Sequence, residues 1–111
     1  MPAIYTQYIL ARVGVEYGGT RFEWDEDKAE ANIVNHDGVT FFEAAAVFTD
    51  PLSIIVDDDE HSIEEQRFLT VGLSREGRVL IVSYAEREDV VRIISARQAK
   101  PKEIRAYEEA E

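Results

Sequence analysis

The sequence predicts an α+β domain: a mostly antiparallel β-sheet with two N-terminal helices packed on one face and a helix at the C-terminus. Three observations lead there. Helical patterning is confined to residues 26–48 and to the segment after residue 100. Four strand-like runs, at 52–56, 67–74, 78–86 and 90–97, follow one another closely, and short connections favour antiparallel neighbours. A chain of 111 residues with 45% hydrophobic content fills one core, with helices and sheet as its two layers.

Each element has a local reason. Residues 4–17 (IYTQYILARVGVEY) partly alternate and end at GGT, residues 18–20, giving an N-terminal strand or loosely packed arm. Residues 1–20 are accordingly set apart from a single domain over 21–111. RFEW, 21–24, reads as a short strand. Asp25 then caps a helix whose first residues, Glu26 and Asp27, suit its positive end, and Gly38 ends it. Within that helix Ala29 and Ile33 mark the core face. Thr40 and Glu43 have capping-box spacing ahead of FFEAAAVF, and TDP at 49–51 stops this second helix. LSIIV, 52–56, precedes the acidic loop DDDEHSIEE, 57–65. RFLTVGLS and RVLIVSYAE are joined by REG as a hairpin, RED turns the chain into VVRIISAR, and Pro101 opens the final helix.

Composition narrows the function classes. No run approaches the roughly 18 apolar residues of a membrane span, and Arg12 and Glu16 interrupt any signal-peptide pattern. Cysteine is absent, which excludes disulfides and thiolate metal sites and fits a cytoplasmic protein. Two histidines, His36 and His61, argue against a multi-histidine metal centre, so neither a metal nor another cofactor is expected.

The net charge of −11 argues against a polyanionic partner, but its distribution does not. Residues 67–105 hold nine basic and five acidic residues, a net of +4, whereas the rest of the chain carries −15. Guanidinium groups stabilise charge that accumulates on the non-bridging oxygens of a phosphodiester. Arg67 begins one strand, Arg87 follows the next and Arg92 lies within the third, so pairing can bring them together. Arg97 differs from Arg92 in parity and shares its face only if the strand bulges. Glu86, beside Arg87, can serve as a base toward a ribose hydroxyl or form a cross-strand ion pair. His61, among carboxylates, can exchange protons or order its loop. Lys28, Asn32 and His36 share one helix stripe, either as a rim for a ligand or, for Asn32 and His36, as partners for backbone groups. Tyr84 and Tyr107 can stack on bases or simply pack.

FEWDEDKAEANIVNH, FFEAAAVF, the run from EHSIEEQRF to VGLS, and VRIISARQAKPKEIRAYE together resemble the BrnT toxin family over roughly residues 21–108. The resemblance implies a RelE-like fold and a metal-independent ribonuclease that slows translation by attack of a ribose 2′-hydroxyl on the adjacent phosphate. It implies a BrnA-like antitoxin partner, with DNA bound only through that complex. It extends to Lys28, Asn32 and His36, to His61, Ser62, Glu65 and Arg67, to Arg92, Ser95, Ala96 and Arg97, and to Glu103 and Tyr107.

The leading expectation is therefore an RNA-cleaving toxin with Arg67, Arg92, Glu86 and His61 as catalytic residues and Lys28, His36, Arg87, Arg97 and Tyr107 binding substrate. The second is a weak or inactive relative that acts by binding an antitoxin, in keeping with the acidic balance. A homodimer is expected if residues 1–20 add an edge strand. The first reading requires that the guanidinium groups meet on one face and are not each neutralised by a carboxylate of their own.

Overall fold

The structure, a computed structural model, describes residues 12–62 and 65–110. Strands β1 (Arg12–Tyr17) and β2 (Thr20–Asp25) lead into helices α1 (Glu26–Asn35) and α2 (Phe41–Val47). Strand β3 (Ile54–Asp57), a 3₁₀ turn (Asp59–His61), strands β4 (Arg67–Leu73), β5 (Val79–Arg87) and β6 (Val90–Gln98), and helix α3 (Pro101–Glu109) complete the chain. The six strands form one sheet in the order β1-β2-β6-β5-β4-β3. Four ladders are antiparallel, but β2 runs parallel to β6, so the sheet is mixed rather than wholly antiparallel. The exception has a topological cause. The chain leaves β2 through both helices and three strands before β6 returns beside it, and so long a connection sets no antiparallel constraint.

Residues 12–17 are part of this sheet. Gly18 and Gly19, with φ of +59° and +81°, make the two-residue turn that folds β1 back on β2 from Tyr17↔Thr20 to Arg12↔Asp25. The expected arm at 4–11 lies outside the described residues. No helix among the described residues is long and apolar enough to cross a membrane.

The two N-terminal helices are capped differently. The Asp25 carboxylate accepts the Asp27 and Lys28 N–H groups at 2.9 and 3.2 Å, as its position before an acidic first turn predicts. Thr40 Oγ1 accepts Glu43 N–H at 3.0 Å, but the reciprocal half of the box is not made. The Glu43 side chain is buried and accepts from Arg78 Nε and Nη2 at 2.8 and 2.7 Å and from Ser74 at 2.8 Å. The Arg78 hydrogen bonds hold its carboxyl below the usual range, with Ser74 adding to the effect. A buried carboxylate needs such compensation, and the long-range ion pair outcompetes the local cap.

Alternation divides the sheet into two faces. Leu80, Val82 and Tyr84 of β5 join Phe22, Trp24, Val91, Ile93, Val39 and the α2 residues Phe41, Ala44, Ala45 and Val47 in the main core. Ile81 instead meets Val71 and Tyr107 of α3 in a small cluster on the opposite face. The α1 contribution is narrower than expected. Ile33 is exposed, Ala29 is half-buried, and the buried residue of the helix is Asn32. Its amide donates to the Val39 and Ala96 carbonyls at 3.0 and 2.8 Å and accepts the Ala96 N–H at 3.0 Å. One polar side chain thus fastens α1 to β6.

Candidate active site

The site is built on the sheet face opposite the main core, across β4, β5 and β6. Its first device is a bulge. Ser83 pairs with Ser95, but Tyr84 pairs with Ile93, so Ile94 is an extra residue on β6. This resets the alternation. Val91 and Ile93 on one side of the bulge and Ala96 on the other all point into the main core, while Arg92 and Arg97 both point away from it. Two arginines of opposite parity come to share a face.

Register supplies the second device. Arg67 and Arg92 lie on either side of Ala85 in one cross-strand row, followed by the row Leu69–Ser83–Ser95 and then Val71–Ile81–Arg97. Ala85 is buried, and its small side chain leaves the surface above it to the two arginines. A cleft of about 440 Å³ is lined by His36, His61, Arg67, Ser83, Ser95 and Arg97 among others. A smaller one of about 140 Å³ is lined by Arg12, Asp25, Lys28, Arg67 and Arg92. Arg67 and the bulged Ile94 border both.

The loop before β4 provides the third. The Asp58 N–H donates to the Arg67 carbonyl at 2.9 Å; Ser62 Oγ donates to the Asp58 carbonyl at 2.6 Å and accepts the Arg67 N–H at 2.9 Å. The loop is thus closed at both ends, which sets His61 over the cleft. His61 Nδ1 lies 3.0 Å from both carboxylate oxygens of Asp58, whose side chain is only 12% exposed. With Nδ1–H donating to Asp58, Nε2 is the nitrogen available for proton exchange.

Charge pairing is uneven. Arg97 forms a two-pronged pair with Glu103, Nη1–Oε1 at 2.9 Å and Nη2–Oε2 at 3.0 Å. This pair, with the Lys100 N–H, holds the Glu103 carboxyl down to about 2. Arg67, Arg87 and Arg92 instead share one carboxylate. Glu65 Oε1 accepts from Arg92 Nη2, Glu65 Oε2 accepts from Arg87 Nη2 at 3.2 Å, and Arg67 Nε stands 4.0 Å from Glu65 Oε1. Among the described residues, these three cations share this one carboxylate.

Arg67, Arg92, His61, His36, Arg97 and Lys28 therefore border the two clefts, and Arg87 joins them through Glu65. Two expected site residues do not. Glu86 lines neither cleft; alternation puts it, exposed, on the face of Tyr84, because adjacent strand residues point to opposite sides. Tyr107 is buried in the small cluster and its hydroxyl donates to Asp50, which uses the polar end of the ring for packing. Tyr84 is likewise buried, between Phe48 and Phe68. Asp58 and Ser83 were not anticipated from the sequence, and Glu65 was named only through the family resemblance. The Asp58–His61 spacing of three across a helical turn was the one available signal for the first.

A family model described as the ribonuclease toxin BrnT of type II toxin–antitoxin systems matches residues 24–103. Among solved structures, the crystal structure of the Brucella abortus ribonuclease toxin BrnT is similar, with a TM-score of 0.55 and 20% identity over 69% of this chain and 92% of that one. No curated protein matches the chain.

Proposed function

The chain belongs to the BrnT family of ribonuclease toxins from type II toxin–antitoxin systems, which implies an antitoxin partner, and from that premise we propose that it is a metal-independent endoribonuclease acting on the outer face of β4–β6. The row Arg67–Ala85–Arg92, beside a cleft that His61 overhangs, carries this reading. Guanidinium groups from adjacent strands offer convergent N–H donors to the non-bridging oxygens of one phosphate. The ribose 2′-oxygen bonds to phosphorus as the bond from phosphorus to the 5′-oxygen breaks. One proton leaves the 2′-hydroxyl and another reaches the departing 5′-oxygen.

His61, oriented by Asp58, handles one of these protons. His36, on the same cleft, is the second imidazole available. Lys28 stands beside the smaller cleft, where a neighbouring phosphate would lie. Arg97 is bound to Glu103, so it contributes to the cleft wall and fastens α3 rather than supplying free charge.

The second reading, an inert partner of an antitoxin, draws on the same Glu65 contacts, because a carboxylate already occupies the arginines. Expression of the chain alone in bacteria separates the two. Growth arrest that a co-expressed antitoxin relieves is expected. Normal growth with soluble, folded protein contradicts the toxin reading.

A further inference from the structure

The carboxylate that three arginines share has a role of its own. Glu65 uses one Nη of Arg92 and one of Arg87. Arg67 Nε is buried without a hydrogen-bond partner among the described residues, although a guanidinium N–H removed from water ordinarily finds one. The donor set is therefore larger than Glu65 satisfies. A phosphodiester carries a full negative charge and non-bridging oxygens that fit the same guanidinium geometry. Glu65 holds one Nη of Arg92 and one of Arg87, donors that a phosphate bridging this row would also use, so the two anions compete for the cluster.

We propose that Glu65 is a resident surrogate for the substrate phosphate: its carboxylate holds Arg67, Arg87 and Arg92 in a converged arrangement when no RNA is bound and gives them up to an RNA phosphodiester. The proposal deepens the nuclease reading and rests on it for the identity of the ligand. Three like charges on neighbouring strands repel, and an internal anion keeps them together in its absence. The same anion competes with the substrate, so it tunes affinity. A side chain only 23% exposed, two residues before Arg67 and 4.0 Å from its Nε, is placed to do both.

The test is a binding titration of the full chain with a fluorescent all-2′-deoxy oligonucleotide, which lacks the attacking hydroxyl, and in parallel with inorganic phosphate. Glu65→Gln, nearly the same shape without the charge, is expected to bind the oligonucleotide about tenfold more tightly than the wild type. The gain should largely disappear in an Arg92→Ala background, because a merely structural effect of Glu65 does not depend on that arginine. Unchanged or weaker binding by Glu65→Gln overturns the proposal, as does a gain that persists without Arg92. Should Glu65→Gln fail to fold, Glu65→Asp, one methylene shorter, must tighten binding in the same direction, and its failure to do so overturns the proposal equally. Tighter binding by the variant with no RNA cleavage by the wild type retires the nuclease reading and keeps the surrogate. Cleavage with no change in affinity does the reverse.

Discussion

Replacing Arg92 with alanine is expected to slow RNA cleavage about a hundredfold, and Arg67→Ala to do the same, in line with the roughly 10²–10³ lost when one donor to a developing oxyanion is removed. Both guanidinium groups sit in one cross-strand row over buried Ala85, and their side chains are 31% and 26% exposed, so water screens them only in part. Stability should change little in comparison. The ion pair of Arg92 with Glu65 is worth at most about 1 kcal/mol at this exposure. Arg87 is 69% exposed and reaches the site through Glu65, so Arg87→Ala should have a smaller effect. The measurement is single-turnover cleavage of an RNA by each variant, alongside its thermal unfolding. Wild-type rates in both the Arg67 and Arg92 variants, with folding intact, contradict the assignment.

The second large effect concerns folding. Asn32→Ala removes three hydrogen bonds at a site only 4% exposed and leaves the Val39 and Ala96 carbonyls and the Ala96 N–H without the amide they now use. Each bond contributes about 0.5–1.5 kcal/mol net, and a buried group left unpaired costs about 1–3 kcal/mol. A loss of about 3–4 kcal/mol follows, a large part of the stability of an ordinary domain. The midpoint of thermal unfolding should fall by roughly 15 °C or more. Asn32→Asp should be at least as damaging, because it aims a charge at two carbonyl oxygens that need a donor. A shift of only a few degrees in either variant would show that α1 is held to β6 by something other than this amide.

The elements were legible wherever the signal was local. The Asp25 cap, the Thr40 cap, the REG and RED turns and Pro101 at the start of α3 all act within a few residues, and the helices and strands fall close to where these place them. What was not legible depends on distant partners. Nothing near β2 specifies that β6 will lie parallel to it. Glu43 has the spacing of a reciprocal cap, yet Arg78, thirty-five residues on, claims it. Ile33 has the period of a core residue, but α1 is held by Asn32 and leaves Ile33 exposed.

The same division runs through the candidate site. The excess of arginine after residue 67 was visible, and so were the two histidines. Whether Arg92 and Arg97 share a face was not, because one bulged residue, Ile94, decides it. The pairing of the cations was hidden too. Arg97 does have a carboxylate of its own in Glu103, but Arg67, Arg87 and Arg92 share one, Glu65, in a loop whose geometry no periodicity describes. Arg67 and Arg92 thus share a carboxylate with Arg87, whereas Arg97 is paired with Glu103.

The most direct test of this account is to incubate the purified chain with an RNA in excess chelator and to repeat the reaction with the same sequence made entirely of 2′-deoxynucleotides. With a metal-independent centre on the outer face of β4–β6, the RNA is expected to be cut into fragments ending in a 2′,3′-cyclic phosphate and the deoxy strand to stay intact. No cleavage in chelator, or equal cleavage of both strands, would contradict it.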